Sequence, residues 1–195
     1  PDPAAGYRYL GRRGDVDARD SGQWGLALRW FSPELNDTEF GFYTMNYHSR
    51  TPILSYVAGD AGLYDVEDPV TGELSGKYFL EYPEDIRLHG VSFSTNVGST
   101  AVSGELSYRP NMPMQLNTTD LTVASVAQIG PTIWNNSPIY TSGHAAQGSG
   151  EILKGYVRKP MTQAQVTVTQ FVDQVMGAER LTLVGEVGYT HVSDL

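Results

Sequence analysis

The chain has 195 residues, 40% of them hydrophobic and 18% charged, with a net charge of -9 and no cysteine. That is enough for one domain with a sizeable core, and it excludes a chain that is disordered by composition. The acidic balance argues against a nucleic-acid partner, which needs a basic stripe. The missing cysteines remove thiol catalysis, thiolate metal sites and disulfides, and no apolar run approaches the length of about 18 residues that a membrane-crossing helix requires.

Residues 1–21 are polar and glycine-rich, carry charges of both signs, and read as a loop. The first predicted strand covers about Gly22–Phe31. In it Trp24, Leu26, Leu28 and Trp30 alternate with Gly25, Ala27 and Arg29. Ser32-Pro33-Glu34-Leu35-Asn36-Asp37 is a turn by residue type. A second strand follows at about Thr38–His48, and residues 49–85 read as a long loop with acids at Asp60, Asp65, Glu67 and Asp68. The third and fourth strands, about Ile86–Asn96 and Thr100–Pro110, flank a turn at Val97-Gly98-Ser99. Residues 111–161 read as the longest loop. Asp120 is a candidate N-cap there for a short helix that runs to Ile129 before Gly130-Pro131. The last hairpin joins strands at about Thr162–Val172 and Arg180–Val192 through Asp173–Glu179.

Three hairpins, 22–48, 86–110 and 162–192, are thus separated by long connections. Short turns alternating with long loops, on strands of about 9–11 residues, are the pattern of an antiparallel up-and-down transmembrane β-barrel. Charge sets the facing, because Arg or Lys on the lipid side at mid-bilayer costs about 2–4 kcal/mol. Arg29, Glu105, Arg109 and Glu186 are therefore expected to line the pore, and Glu39 joins them if Tyr43, Met45 and Tyr47 also face inward. The lipid-facing set is then Trp24, Leu26, Leu28, Trp30, Val102, Leu106, Tyr108, Leu181, Leu183, Val187 and Tyr189. Pairing of the interior charges with one another, as barrel filling, is the equally weighted structural reading. Six strands are fewer than the eight or so of the smallest barrels. The chain therefore reads as an interior fragment, one barrel domain over 1–195, needing the remaining strands of a longer chain or other subunits for closure.

Gly22–Trp30, Glu39–Arg50, Gly104–Pro113 and Leu181–Tyr189 carry a resemblance. The chain resembles an uncharacterised proteobacterial outer-membrane β-barrel family, a domain of unknown function. That family is similar in style to the fatty-acid-type channels for hydrophobic compounds. The resemblance covers most of the chain and rests on strand patterns rather than catalytic signatures. It implies a bacterial outer-membrane location, contact with lipid and lipopolysaccharide, and uptake of a hydrophobic or amphipathic small-molecule ligand.

The remaining motifs point to no chemistry. His48, His89, His144 and His191 have no ligand spacing, the acids of 60–68 lack the order of a calcium loop, and no Gly-x-Ser-x-Gly elbow is present. No catalytic residue, metal or cofactor is expected, and the chain does not read as an enzyme. The apolar residues Leu121, Val123, Val126, Ile129, Trp134, Ile139 and Tyr140 are read chiefly as a loop packed on itself, and secondarily as an external capture patch. The alternative to a channel is a soluble or surface-exposed β-rich binding or adhesion module, in which Trp24 and Trp30 serve as core or stacking residues.

Overall fold

The structure is a computed structural model, and it describes residues 8–60, 66–68, 72–126, 139 and 148–193. These form an all-β protein with one short α-helix. The strands are β1 (Tyr9–Arg12), β2 (Trp24–Ser32), β3 (Thr38–Tyr47), β4 (Ile53–Val57), β5 (Val66–Asp68), β6 (Glu73–Glu81), β7 (Ile86–Val97), β8 (Thr100–Gln115), β9 (Ile152–Leu153), β10 (Tyr156–Val175) and β11 (Ala178–Val192). The helix α1 spans Thr118–Val126. No described helix is long and apolar enough to cross a membrane. The chain divides into two compact units. Unit 1 comprises 1–19, 49–84 and 113–157, and unit 2 comprises 20–48, 85–112 and 158–195.

Unit 2 is built on a six-stranded sheet in the order β11-β10-β8-β7-β3-β2. All six strands expected from the sequence are present, and each pairs with its neighbour in the chain or across a long connection. The pairs β2–β3, β3–β7, β7–β8 and β10–β11 are antiparallel. Thr100 meets Gln170 and Arg109 meets Gln163, so β8 and β10 also run in opposite directions. The sheet does not close on itself, and β2 and β11 are its edges.

Local chemistry sets the three short turns. Between β2 and β3, a 3-10 turn at Pro33–Leu35 passes into Asn36 and Asp37, both left-handed at φ 54° and 52°. Asn and Asp are among the few non-glycine residues that tolerate this region. Gly98 takes φ 63° between β7 and β8. Met176 and Gly177, at φ 52° and 83°, are the two central residues between β10 and β11, as a type I′ hairpin demands. A Cβ at Gly177 meets no atom within 4 Å, so Gly177→Ala tests conformation alone. We expect it to cost about 1–2 kcal/mol, seen as a lower midpoint in denaturant unfolding. An unchanged midpoint would show that the turn does not hold the hairpin.

Unit 1 differs from the sequence expectation. Residues 1–21, 49–85 and 111–161 were expected as loops with one short helix in the last, yet beside that helix, α1, they carry β1, β4, β5, β6 and β9. These strands form a second open sheet in the order β1-β6-β4-β9, with β5 also paired to β6. β1 runs parallel to β6, and β4 antiparallel to it. Tyr56, Leu121, Ala124, Ile139 and Leu153 form the buried core, with Leu10, Leu54, Tyr78 and Leu116 packed against it.

The helix is capped three residues earlier than expected. Asn117 Oδ1 accepts the amides of Thr119 and Asp120, which makes Asn117 the N-cap and leaves Asp120 in the first turn. Leu121 and Ile139 are core residues and not a capture patch. Ile129, Trp134 and Tyr140 lie outside the described residues. Arg13-Gly14-Asp15 is structural. Arg13 lies over the Phe79 ring at 4.5 Å, and Asp15 takes Arg12 at 2.5 Å and the Leu80 amide at 3.1 Å. Hydrogen bonding from Arg12, then from the Leu80 amide, holds the Asp15 carboxyl below its ordinary value.

Candidate functional site: the two faces of the six-stranded sheet

Successive residues of a strand point to opposite faces, so the ladder register sorts every side chain of the sheet. Two adjacent rows are decisive. In one, Leu28 pairs with Phe42, Phe42 with Val91, and Val91 with Leu106. In the other, Arg29 pairs with Gly41, Gly41 with Ser92, and Ser92 with Glu105. A one-residue slip in any ladder would exchange the rows.

The register places the expected pore-lining residues on a single face. Arg29, Glu39, Glu105 and Arg109 follow from the β2, β3, β7 and β8 pairings. Glu186 follows because it pairs with Thr167, which lines the same groove as Glu39 and Glu105. That groove, about 260 Å³, is floored by Ser92, Ser94, Ser103, Gln165 and Thr167 beside the two carboxylates. Small hydroxylated side chains leave room above the backbone and offer both donors and acceptors.

The charges on this face are mostly held by neutral partners. Arg109 Nη1 donates to Gln163 Oε1 at 2.5 Å, and Thr167 Oγ1 donates to Glu186 at 3.2 Å. The Arg29–Glu39 pair is loose at 3.9 Å, with both side chains more than half exposed. Such a pair contributes less than about 1 kcal/mol. The Glu105 carboxylate makes no hydrogen bond or ion pair with any described residue. Mutual neutralisation of the expected pore-lining charges is therefore limited to Arg29 and Glu39.

Towards the opposite ends of β3 and β7 the same face turns apolar. Tyr43 stands opposite Gly90, Met45 opposite Leu88, and Tyr47 opposite Ile86. Tyr43 folds over Gly41 so that its hydroxyl reaches Ser92 at 3.3 Å, a packing that the missing Cβ of Gly41 permits.

The other face is apolar and open. Trp24, Leu26, Leu28, Trp30, Val102, Leu106, Tyr108, Leu181, Leu183, Val187 and Tyr189 all fall on it. Except for Val102, each is between 41% and 75% exposed. A contiguous apolar face left this open marks an interaction surface. Phe93 lies against Gly104, where a Cβ would come within 2.5 Å of its ring, and Trp30 stacks on Phe40 at 5.5 Å. This Phe–Gly pairing was missed in the sequence. Its only signal was a lone glycine within an otherwise regular strand.

A buried histidine was also missed. His48 is 3% exposed at the end of the β3 hairpin strand. Its Nδ1 accepts the Asp85 amide at 3.1 Å, and its Nε2 lies 2.8 Å from the Ser21 carbonyl, so the ring is satisfied as a neutral tautomer. Asp85 in turn accepts Asn46 at 2.9 Å and takes φ 56°. His48 thereby ties three chain segments together by its two ring nitrogens.

Comparison with known families finds one match. A family model described as a protein of unknown function (DUF1302) matches residues 3–195. The chain therefore belongs to that family. No curated protein and no solved structure matches the chain.

Proposed function

We propose that this DUF1302 member builds part of the wall of a bacterial outer-membrane β-barrel that passes hydrophobic or amphipathic small molecules. The observation that carries the reading is the coherence of the two faces. Six strands in continuous up-and-down order hold Arg29, Glu39, Glu105, Arg109 and Glu186 on one side, and an open row of large apolar residues, interrupted by Arg87 towards one end, on the other. In a soluble sheet the apolar side would be the covered one, yet here it stands open along the described residues.

The dimensions agree. β7 has 12 residues, enough for a tilted membrane-spanning strand, which requires about 9–11. The open edges β2 and β11 would pair with further strands, because an exposed edge cannot be left unsatisfied in lipid.

The inner wall then suits an amphipathic solute. Tyr43, Met45, Tyr47, Ile86 and Leu88 offer an apolar stretch, followed by the hydroxyl and carboxylate groups around Glu39 and Glu105. Arg29, Glu39, Glu105, Arg109 and Glu186 are the polar lining, and no covalent chemistry is needed. A surface-exposed binding module is the second reading, favoured by the separate core of unit 1.

Heat-modifiable migration of the protein extracted from membranes tests the barrel. We expect a compact band that shifts on boiling. A chain that stays soluble without detergent and shows no shift would overturn the channel and leave the binding module.

A further inference from the structure

The apolar face of the six-stranded sheet changes character towards one end. Next to the row Leu28–Phe42–Val91–Leu106 stands the row Leu26–Thr44–His89–Tyr108. Together they border a groove of about 460 Å³. Its walls are Leu26, Leu28, Phe42, Val91 and Leu106, and its head is formed by Thr44, His89 and Tyr108. The Thr44 hydroxyl and His89 Nδ1 lie 3.0 Å apart, which fixes the imidazole and leaves its other nitrogen without a partner among the described residues. Two residues beyond His89 on the same face stands Arg87, in register with Asn46.

Arg87 is exposed, and its guanidinium makes no ion pair with any described residue. Its backbone amide donates to Asn111 Oδ1 at 2.9 Å. A permanent cation on a greasy face, at the end where hydroxyl and imidazole groups gather, is complementary to an anion carried on an apolar tail. A guanidinium binds phosphate oxygens through paired N–H groups.

We propose that this groove holds a phospholipid with an anionic phosphodiester headgroup. The acyl chain lies along Leu28, Phe42, Val91 and Leu106. The phosphate meets Arg87, with the Tyr108 hydroxyl and the free nitrogen of His89 beside it. The site rests on the membrane reading above, and adds to it a lipid held at a fixed place on the outer wall.

Phosphatidylglycerol added to the protein in phosphatidylcholine bicelles is the probe, with the retained lipid counted by mass spectrometry after dilution. We expect the wild type to retain phosphatidylglycerol about five- to tenfold over phosphatidylcholine. Arg87→Gln should bring the ratio close to one, Arg87→Lys should restore part of it, and Tyr108→Phe should roughly halve it. Arg180→Gln, the same charge change at the far hairpin, should leave it unaltered. A protein that enters the bicelles yet shows no preference, or keeps it in Arg87→Gln, overturns the lipid site alone. A protein that does not enter the bicelles overturns the membrane reading, and the lipid site with it.

Discussion

Leu28→Arg is expected to remove most of the membrane-inserted, heat-modifiable protein, whereas Arg29→Leu leaves it largely intact. The two positions are adjacent in β2 and differ only in face. Leu28 pairs with Phe42 in the middle rows of the apolar side and is 62% exposed there. Arg introduced on the lipid side near mid-bilayer costs about 2–4 kcal/mol, which is a loss of about thirtyfold to several hundredfold in the folded fraction. Arg29→Leu removes only the loose 3.9 Å contact with Glu39, worth less than about 1 kcal/mol. Both variants are compared by band shift and by partitioning between membrane and soluble fractions. Equal tolerance of the two would show that the faces do not differ in solvent. Rejection of Leu28→Arg in a protein found only in the soluble fraction would assign Leu28 to a buried core instead.

Gly155→Ala is the second large effect, and it falls on unit 1. Gly155 is buried against β4, where its amide donates to Ser55 Oγ at 2.8 Å and its carbonyl accepts the Leu116 amide at 2.8 Å. A Cβ there would overlap the Leu54 carbonyl oxygen, and it would lie 2.7 Å from the Leu54 carbonyl carbon. Backbone cannot swing aside as a side chain does, so the sheet must part or the segment must move. Overpacking of this kind costs about 1–3 kcal/mol and more where backbone is the obstacle. Ser55 and its bond to Glu81 lose their register with it. Limited proteolysis of the intact protein reads the result as faster cleavage within 49–84 and 113–157, with the band shift of unit 2 recorded alongside. Unchanged protection would mean that the Leu54–Gly155 approach is not essential to unit 1.

The six strands of unit 2 were legible because one of their faces carries mainly polar and small residues and the other mainly large apolar ones, so alternation survives in the sequence. Gln23–Phe31 shows this plainly, and the expected hairpins agree with β2–β3, β7–β8 and β10–β11 to within a few residues, apart from extensions of β8 to Gln115 and of β10 back to Tyr156. The pairing of Glu39 with Ser94 also places Glu39 on the face of Arg29 and Glu105, a choice that β3 alone left open.

The strands of unit 1 were illegible for a physical reason. Ile53-Leu54-Ser55-Tyr56-Val57 has side chains buried or half-buried on both faces, so no period of two marks it. Its partner β6 begins sixteen residues later, and β9 lies about a hundred residues away. β1 pairs in parallel and so leaves no hairpin signature. Length alone was the clue that these connections were not loops, since unstructured segments of such size are rare in compact domains.

Two hydrogen bonds within unit 1 bear on how the whole chain reaches its fold. The Ser49 amide donates to the Pro83 carbonyl at 2.8 Å, and the Leu116 amide to the Gly155 carbonyl at 2.8 Å. Ser49 and Pro83 bracket the connection from β3 to β7, and Leu116 and Gly155 the connection from β8 to β10. As slack polymer, each connection imposes a closure entropy that grows with the logarithm of its length, before any ladder rewards it. Once unit 1 has condensed, the loose ends are delivered side by side. Two pairings remote in sequence then zip like adjacent hairpins, with a lower effective contact order and a faster search.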